Sequence, residues 1–269
     1  MPVFRKPTPD LAVSLADAYE FNGEHNADQP MVRWYNEEHG FKQRMWGEGI
    51  RAFRSAAVNI LDTIGPGKER VVGILATTGQ IRFWDLLAGL ILSGYVPFVI
   101  SPRNSVQAVE WLLETEKATY LIASDDKLDF SQPICEKLSI GLRRVEDMLA
   151  QTDGREPSLP TREHITRDSP SLIIHSSGSM AFPKPIHFTH RVVRQWANFP
   201  EQSDYDLNGR VVGAYPLPMF HGMGLIVTFF AVSGNFPFLY LSLTSILADV
   251  HWRDSHFPIS FRATHCPHS

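Results

Sequence analysis

Residues 171–190 read SLIIHSSGSMAFPKPIHFTH, and their types and order suit the holding of a phosphate. The run SLIIH predicts a buried strand that stops abruptly at hydroxyls and a glycine. Gly178 lets the backbone approach a ligand closely. Ser176, Ser177 and Ser179 offer hydroxyl donors. Consecutive backbone N–H groups in a tight turn form an anion-binding concavity, and Lys184 adds a point charge suited to phosphate. The alternative is a Ser/Gly-rich surface turn, a common fate of this composition. The chain contains no GxxxxGK[ST], no GxGxxG and no GxSxG. A Walker loop, a dinucleotide fingerprint and a hydrolase nucleophile elbow are therefore unsupported.

The elements that must position this loop follow from periodicity. Residues 1–45 are polar and irregular and predict mostly loop with one short helix. From Glu48, Ile50, Phe53, Ala57, Ile60, Leu61 and Ile64 fall on one face of a 3.6-period helix, which GPG at 65–67 ends. Strands are expected at 71–76, 96–100 and 119–123, with helices over 80–92 and 105–117, the latter capped by Asn104. Continuous apolar strands alternating with helices imply parallel βαβ units. One or two helices and a polar connection are expected over 124–170. Beyond the strand at 171–175 the pattern predicts a helix over 189–199, a strand at 211–215, a helix over 221–232 and a strand at 236–241. No internal repeat or low-complexity tract is present.

HSSGSMAFPKPIHFTH resembles the signature loop of adenylate-forming enzymes, the superfamily of acyl-CoA synthetases, luciferases and nonribosomal-peptide adenylation domains. The pattern there is roughly [ST]-S-G-[ST]-T-G-x-P-K-[GP], followed shortly by Thr-His. His175, Phe182 and the proline after Lys184 look like fungal nonribosomal-peptide-synthetase-like domains, including adenylate-forming reductases. AYPLPMFHGMGL (214–225) is similar to the next motif of that family, and residues 74–105 more weakly to its early strand–helix–strand. The resemblance implies that a carboxylate attacks the α-phosphorus of ATP, with Mg²⁺ present, to give an acyl-adenylate and pyrophosphate. By the same carry-over Ser176, Ser177, Gly178, Ser179 and Lys184 hold the β- and γ-phosphates. His221 lies near the acyl or adenylate end; its alternative is a structural histidine packed on Phe220 and Met223. No catalytic residue is assignable.

The sequence departs from the pattern in two ways. Met180-Ala181 stand where the family has Thr-Gly. Methionine lacks the hydroxyl, and alanine resists positive φ. The later motifs, among them the ribose-binding Asp and the C-terminal catalytic Lys, have no counterpart. The expected fold is therefore α/β, an incomplete N-terminal large domain of the adenylate-forming type with parallel βαβ units. Its expected parts are an irregular segment 1–30, a partial adenylation domain 31–241 and an atypical tail 242–269. That tail loses the strand–helix rhythm, which suits a shifted reading frame or retained intron. His251, His256, His265, Cys266 and His268 lie in it, but HCPH lacks a paired metal-ligand spacing.

The expected function is ATP-dependent activation of a carboxylic or amino acid in nonribosomal-peptide-synthetase-like secondary metabolism, impaired by truncation. The alternative is a catalytically inactive or partner-dependent fragment, because an unfinished sheet exposes an edge. Expected partners are ATP, the acid, and a carrier protein or missing C-terminal part. Composition narrows the rest. The 269 residues carry 25 Lys and Arg against 29 Asp and Glu, no excess for nucleic acid. At 43% hydrophobic and 20% charged, wholesale disorder and a coiled coil are excluded. Two cysteines, Cys135 and Cys266, make no disulfide framework, and no secretory signal is legible, so a cytoplasmic protein is expected. Residues 211–248 lack Asp, Glu, Lys and Arg, which raises a membrane-associated reading. The run LIVTFFAV is too short to span, and glycines and prolines interrupt the rest.

Overall fold

The computed structural model describes residues 4–8, 13–36, 40–162, 164–176, 182–199, 212–214, 218–233 and 238–240. The chain opens with α1 (Leu15–His25), β1 (Pro30–Asn36), β2 (Gly40–Met45) and α2 (Trp46–Ile64). Alternation then sets in: β3 (Val71–Leu75), α3 (Gln80–Leu92), β4 (Val96–Val99), α4 (Val106–Thr115), β5 (Tyr120–Ala123), α5 (Leu128–Leu138) and β6 (Gly141–Arg144). After the short α6 (Val145–Met148) come β7 (Pro170–His175), β8 (Pro185–Thr189), α7 (His190–Ala197), β9 (Val212–Ala214), α8 (Gly222–Ser233) and β10 (Phe238–Tyr240).

Six strands form one sheet in the order β6-β5-β3-β4-β7-β8, parallel except for the antiparallel β8. Strand β3 is central, and β4 and β5 lie on opposite sides of it. Its alternate residues feed two cores. Val72 and Ile74 join Phe53, Trp84 and Leu87 of α2 and α3. Leu75 joins Val109, Leu112 and Leu113 of α4 and Ile134 of α5. A Cβ on Gly73 would lie 2.7 Å from Leu113 Cδ2, so the glycine sets how closely α4 approaches. The thiol of Cys135 is buried, and burial pushes it up to about 11, far from the thiolate a reactive cysteine needs.

A second sheet, β2-β1-β10-β9, carries the strands that the irregular reading of 1–45 missed. The helix expected there is α1. The two strands are hidden in the sequence because their alternation is carried by polar and charged residues: Arg33 and Gln43 pair across the hairpin, Nε to Oε1 at 2.6 Å. Charge likewise hid β6 (GLRR), an edge strand. The cap of α4 is Ser105, whose Oγ accepts from the Ala108 N–H, not Asn104 as expected. Asn104 turns its amide to His175 instead. The βαβ expectation holds for β3 to β6, and β8 and β2 make both sheets mixed. Among the described residues no helix is long and apolar enough to cross a membrane. The tail histidines and Cys266 lie outside them.

Candidate functional site

Strand β7 delivers the candidate loop at the carboxyl end of the parallel sheet, where open α/β sheets place their ligands. The β7–β8 ladder runs from Pro170↔Thr189 to His175↔Pro185. It continues one step further. The Ser176 N–H donates to the Lys184 carbonyl at 3.0 Å, and the Lys184 N–H donates to Ser176 Oγ at 3.0 Å. These two bonds close the neck of the loop. Ser176 thus spends an acceptor site on the neck and keeps its O–H to donate. Lys184 is exposed, and Pro183 before it is buried. Ser177, Gly178 and Ser179, with Met180 and Ala181, lie outside the described residues.

His175 locks the end of β7 to the loop after β4. Its Nε2 accepts from the Ser101 N–H at 2.9 Å and lies 3.3 Å from Asn104 Nδ2. Its Nδ1 lies 2.8 Å from the Ser176 carbonyl, so it carries the proton and donates. Burial holds the imidazole below its usual pKa, against the pull of the Ser176 carbonyl, and it stays neutral in this bonding pattern. The sequence pattern marks His175 without implying this role for it. The parallel pairing of Phe98 with Ile173 brings it beside Ser101, and that pairing spans 75 residues.

The turn before α8 carries His221. Its N–H donates to the Pro218 carbonyl at 3.0 Å, and its own carbonyl accepts from the N–H groups of Gly224 and Leu225. The imidazole is exposed, with its ring centroid 4.7 Å from that of Phe220. On one side of the turn His221, Met223 and Ile226 border a cavity of about 470 Å³ against Ile174, Phe188 and Trp196. On the other side Met219 and Phe220 border a smaller, more polar crevice with Thr77, Thr78, Arg103 and Lys127. The structure thus gathers Ser176 and Lys184 at one strand end and places His221 on the wall of an apolar cavity floored by the same strand. Among the described residues no cluster of three or more His, Cys, Asp or Glu could hold a metal ion.

A model of the AMP-binding enzyme family matches residues 34–249, and the chain belongs to that family. It is 28% identical over 246 residues to adenylate-forming reductase Nps10 of Heterobasidion annosum, covering 83% of this chain and 22% of that protein. It is 26% identical over 276 residues to adenylate-forming reductase Nps11 of Serpula lacrymans, covering 92% and 24%. The chain therefore spans less than a quarter of the length of these curated relatives. Among solved structures, the N-terminal subdomain of Klebsiella oxytoca NpsA in complex with 3-hydroxybenzoyl-AMSN aligns with a TM-score of 0.69 at 14% identity, covering 86% of this chain and 54% of that one. A fatty acyl-adenylate ligase from L. pneumophila, in complex with acyl adenylate and pyrophosphate, aligns at 0.68 and 18%, covering 88% and 41%. These likenesses establish the fold as that of an adenylate-forming enzyme's N-terminal domain.

Proposed function

We propose that this chain carries the phosphate- and acid-binding part of an enzyme that activates a carboxylic acid as its adenylate. A carboxylate oxygen attacks the α-phosphorus of ATP. The bond from that phosphorus to the bridging oxygen of the β-phosphate breaks, and pyrophosphate leaves with the electron pair. The observation that carries the reading is that β7 ends at the neck of Ser176 and Lys184 and, through Leu172 and Ile174, also lines the cavity bordered by His221. Ser176, Ser177, Gly178, Ser179 and Lys184 would stabilise charge on the departing pyrophosphate. Mg²⁺, which the family implies, would be held largely by the phosphate oxygens, since no cluster of three or more His, Cys, Asp or Glu lies among the described residues.

The cavity narrows the acid. Its described lining holds no Asp, Glu, Lys or Arg side chain. An ammonium group buried there would lack a partner, which is costly. The proposed substrate is therefore an aliphatic or aromatic acid rather than an amino acid. A non-canonical non-ribosomal peptide synthetase of Acremonium egyptiacum, 29% identical over 160 residues, supports a place in nonribosomal-peptide-synthetase-like chemistry, and a carrier protein is the partner proposed with it.

The test is ATP–pyrophosphate exchange over a panel of aliphatic, aromatic and amino acids. Exchange is expected with the first two groups. Lys184→Ala removes a charge-assisted contact worth about 1.5–3 kcal/mol, so exchange at limiting ATP drops roughly ten- to a hundredfold. Absence of acid-dependent exchange in the wild-type chain would support the alternative, an inactive or partner-dependent fragment. A second substitution works in the opposite direction. Met180→Thr with Ala181→Gly restores the hydroxyl donor and the permissive backbone, and tightens ATP binding by about tenfold or more. Isothermal titration reads it directly, and an affinity equal to wild type would remove the assigned role of those two positions.

A further inference from the structure

Lys184 sits within Phe182-Pro183-Lys184-Pro185. Each proline fixes its own φ, and each disfavours helical backbone in the residue before it. Phe182 and Lys184 are both such residues, so the four form a stiff strut. One end is held by the sheet, through Pro185 opposite His175 and the two Ser176–Lys184 bonds. The other end is held by an aromatic contact. Phe182 stacks on Trp111 of α4 with centroids 5.9 Å apart and planes 25° apart. The rings are 51% and 45% exposed, and neither belongs to the two apolar cores. Core packing therefore does not explain the contact. Helix α4 also reaches the far side of the strut: Glu116, its C-cap, has Oε2 2.8 Å from His187 Nε2.

We propose that α4 clamps this strut, and that Trp111 is a positioning residue for phosphate binding at Lys184. The stack fixes Phe182, the ladder fixes Pro185, and the prolines leave the backbone between them little freedom. The Lys184 side chain then starts from one place and in one direction, so less ordering is needed when it meets an anion. The proposal rests on the reading of Lys184 as a phosphate ligand.

The experiment uses the 269-residue chain, with Trp111→Ala, Trp111→Phe and Lys184→Ala variants, and two readouts. The first is hydrogen exchange of the Ser176 and Lys184 amides without ligand. Loss of an aromatic pair corresponds to about two- to tenfold. Trp111→Ala is expected to speed exchange at those two amides by that factor, with the melting temperature held and Trp111→Phe close to wild type. The second is pyrophosphate binding by titration calorimetry. Trp111→Ala is expected to weaken it by a similar factor, Trp111→Phe by less than twofold, and Lys184→Ala by more than either. Unchanged amide exchange in Trp111→Ala overturns the clamp. Faster exchange with unchanged pyrophosphate affinity, while Lys184→Ala binds weakly, overturns the positioning role and leaves the phosphate reading standing. Equal binding by wild type and Lys184→Ala overturns that reading, and the positioning role falls with it.

Discussion

Replacing Arg44 by alanine lowers the stability of the protein by up to about 3 kcal/mol, the low end of the range for removing one partner of a buried ion pair, because Asp85 is buried while Arg44 is only partly buried. Arg44 lies on β2 and Asp85 on α3, with Nη1 and Oδ1 2.5 Å apart. The pair therefore ties the second sheet to the helix that packs beneath β3. Asp85 is only 8% exposed. Burial raises its pKa above the usual carboxylate value, although Arg44 and then Arg82 pull it down. Two arginines thus fail to offset the desolvation fully, and the carboxylate depends on them to stay charged. Without Arg44 it is left in a site that favours the protonated form. The sign of the pH dependence follows. Ionisation of a carboxyl whose folded pKa is raised opposes folding, so the deficit of Arg44→Ala shrinks as pH falls and Asp85 takes up its proton. Urea denaturation at pH 7 and pH 5 measures both effects. A double variant, Arg44→Leu with Asp85→Leu, is expected to recover most of the loss, because apolar replacement of a whole buried pair is often neutral. Equal stability of wild type and Arg44→Ala would show that the pair contributes nothing.

The parts of this fold legible in the sequence are those whose residues face apolar surroundings on both sides. Strands β3, β4 and β5 are continuous apolar runs because two helical layers cover them, and α3 is apolar nearly all round because it lies between strands and α2. Strands β1, β2, β6 and β8 were missed for the opposite reason. They sit at or near edges and carry Arg33, Lys42, Arg143 and His187, which read as loop. The candidate site shows the same division. The strand, the hydroxyls and Lys184 are contiguous, so a one-dimensional reading finds them. The partners that hold them are distant in sequence. Ser101 meets His175 across 74 residues, and Trp111 meets Phe182 across 71. Nothing in a single sequence pairs such residues, because parallel strands and crossover helices bring them together only when the sheet is formed.

Lowering the pH from 7 to 4 costs the wild-type protein about 3 kcal/mol through His190 alone. His190 is 4% exposed and begins α7, directly after the α7 cap Thr189, whose Oγ1 accepts from the Val192 N–H. Its Nδ1 accepts from the Leu15 N–H at 3.3 Å, one of the orphan amides at the start of α1. The Thr-His pair that closes the sequence pattern around the loop therefore caps two helices, one locally and one 175 residues away. Only a neutral imidazole can do this. A proton on Nδ1 would set a donor against the Leu15 donor, and would place a cation at the positive ends of α1 and α7. Burial lowers the pKa to about 4, with Asp17 opposing. The unfolded chain has the ordinary value near 6.5. Between those pH values the unfolded state binds more protons, so stability rises with pH there. The contribution is fully present above about pH 6.5 and is lost as pH falls toward 4. Denaturation midpoints across pH 7.5 to 4 test this against His190→Asn, whose amide oxygen keeps an acceptor near Nδ1 and does not titrate. Carboxylates titrate in both proteins and cancel in the difference. The expected difference grows by about 3 kcal/mol over the range; parallel curves would mean that His190 tolerates its proton in the folded state. A protonated His190 would also loosen the start of α7, and α7 carries Trp196 on the wall of the proposed acid cavity.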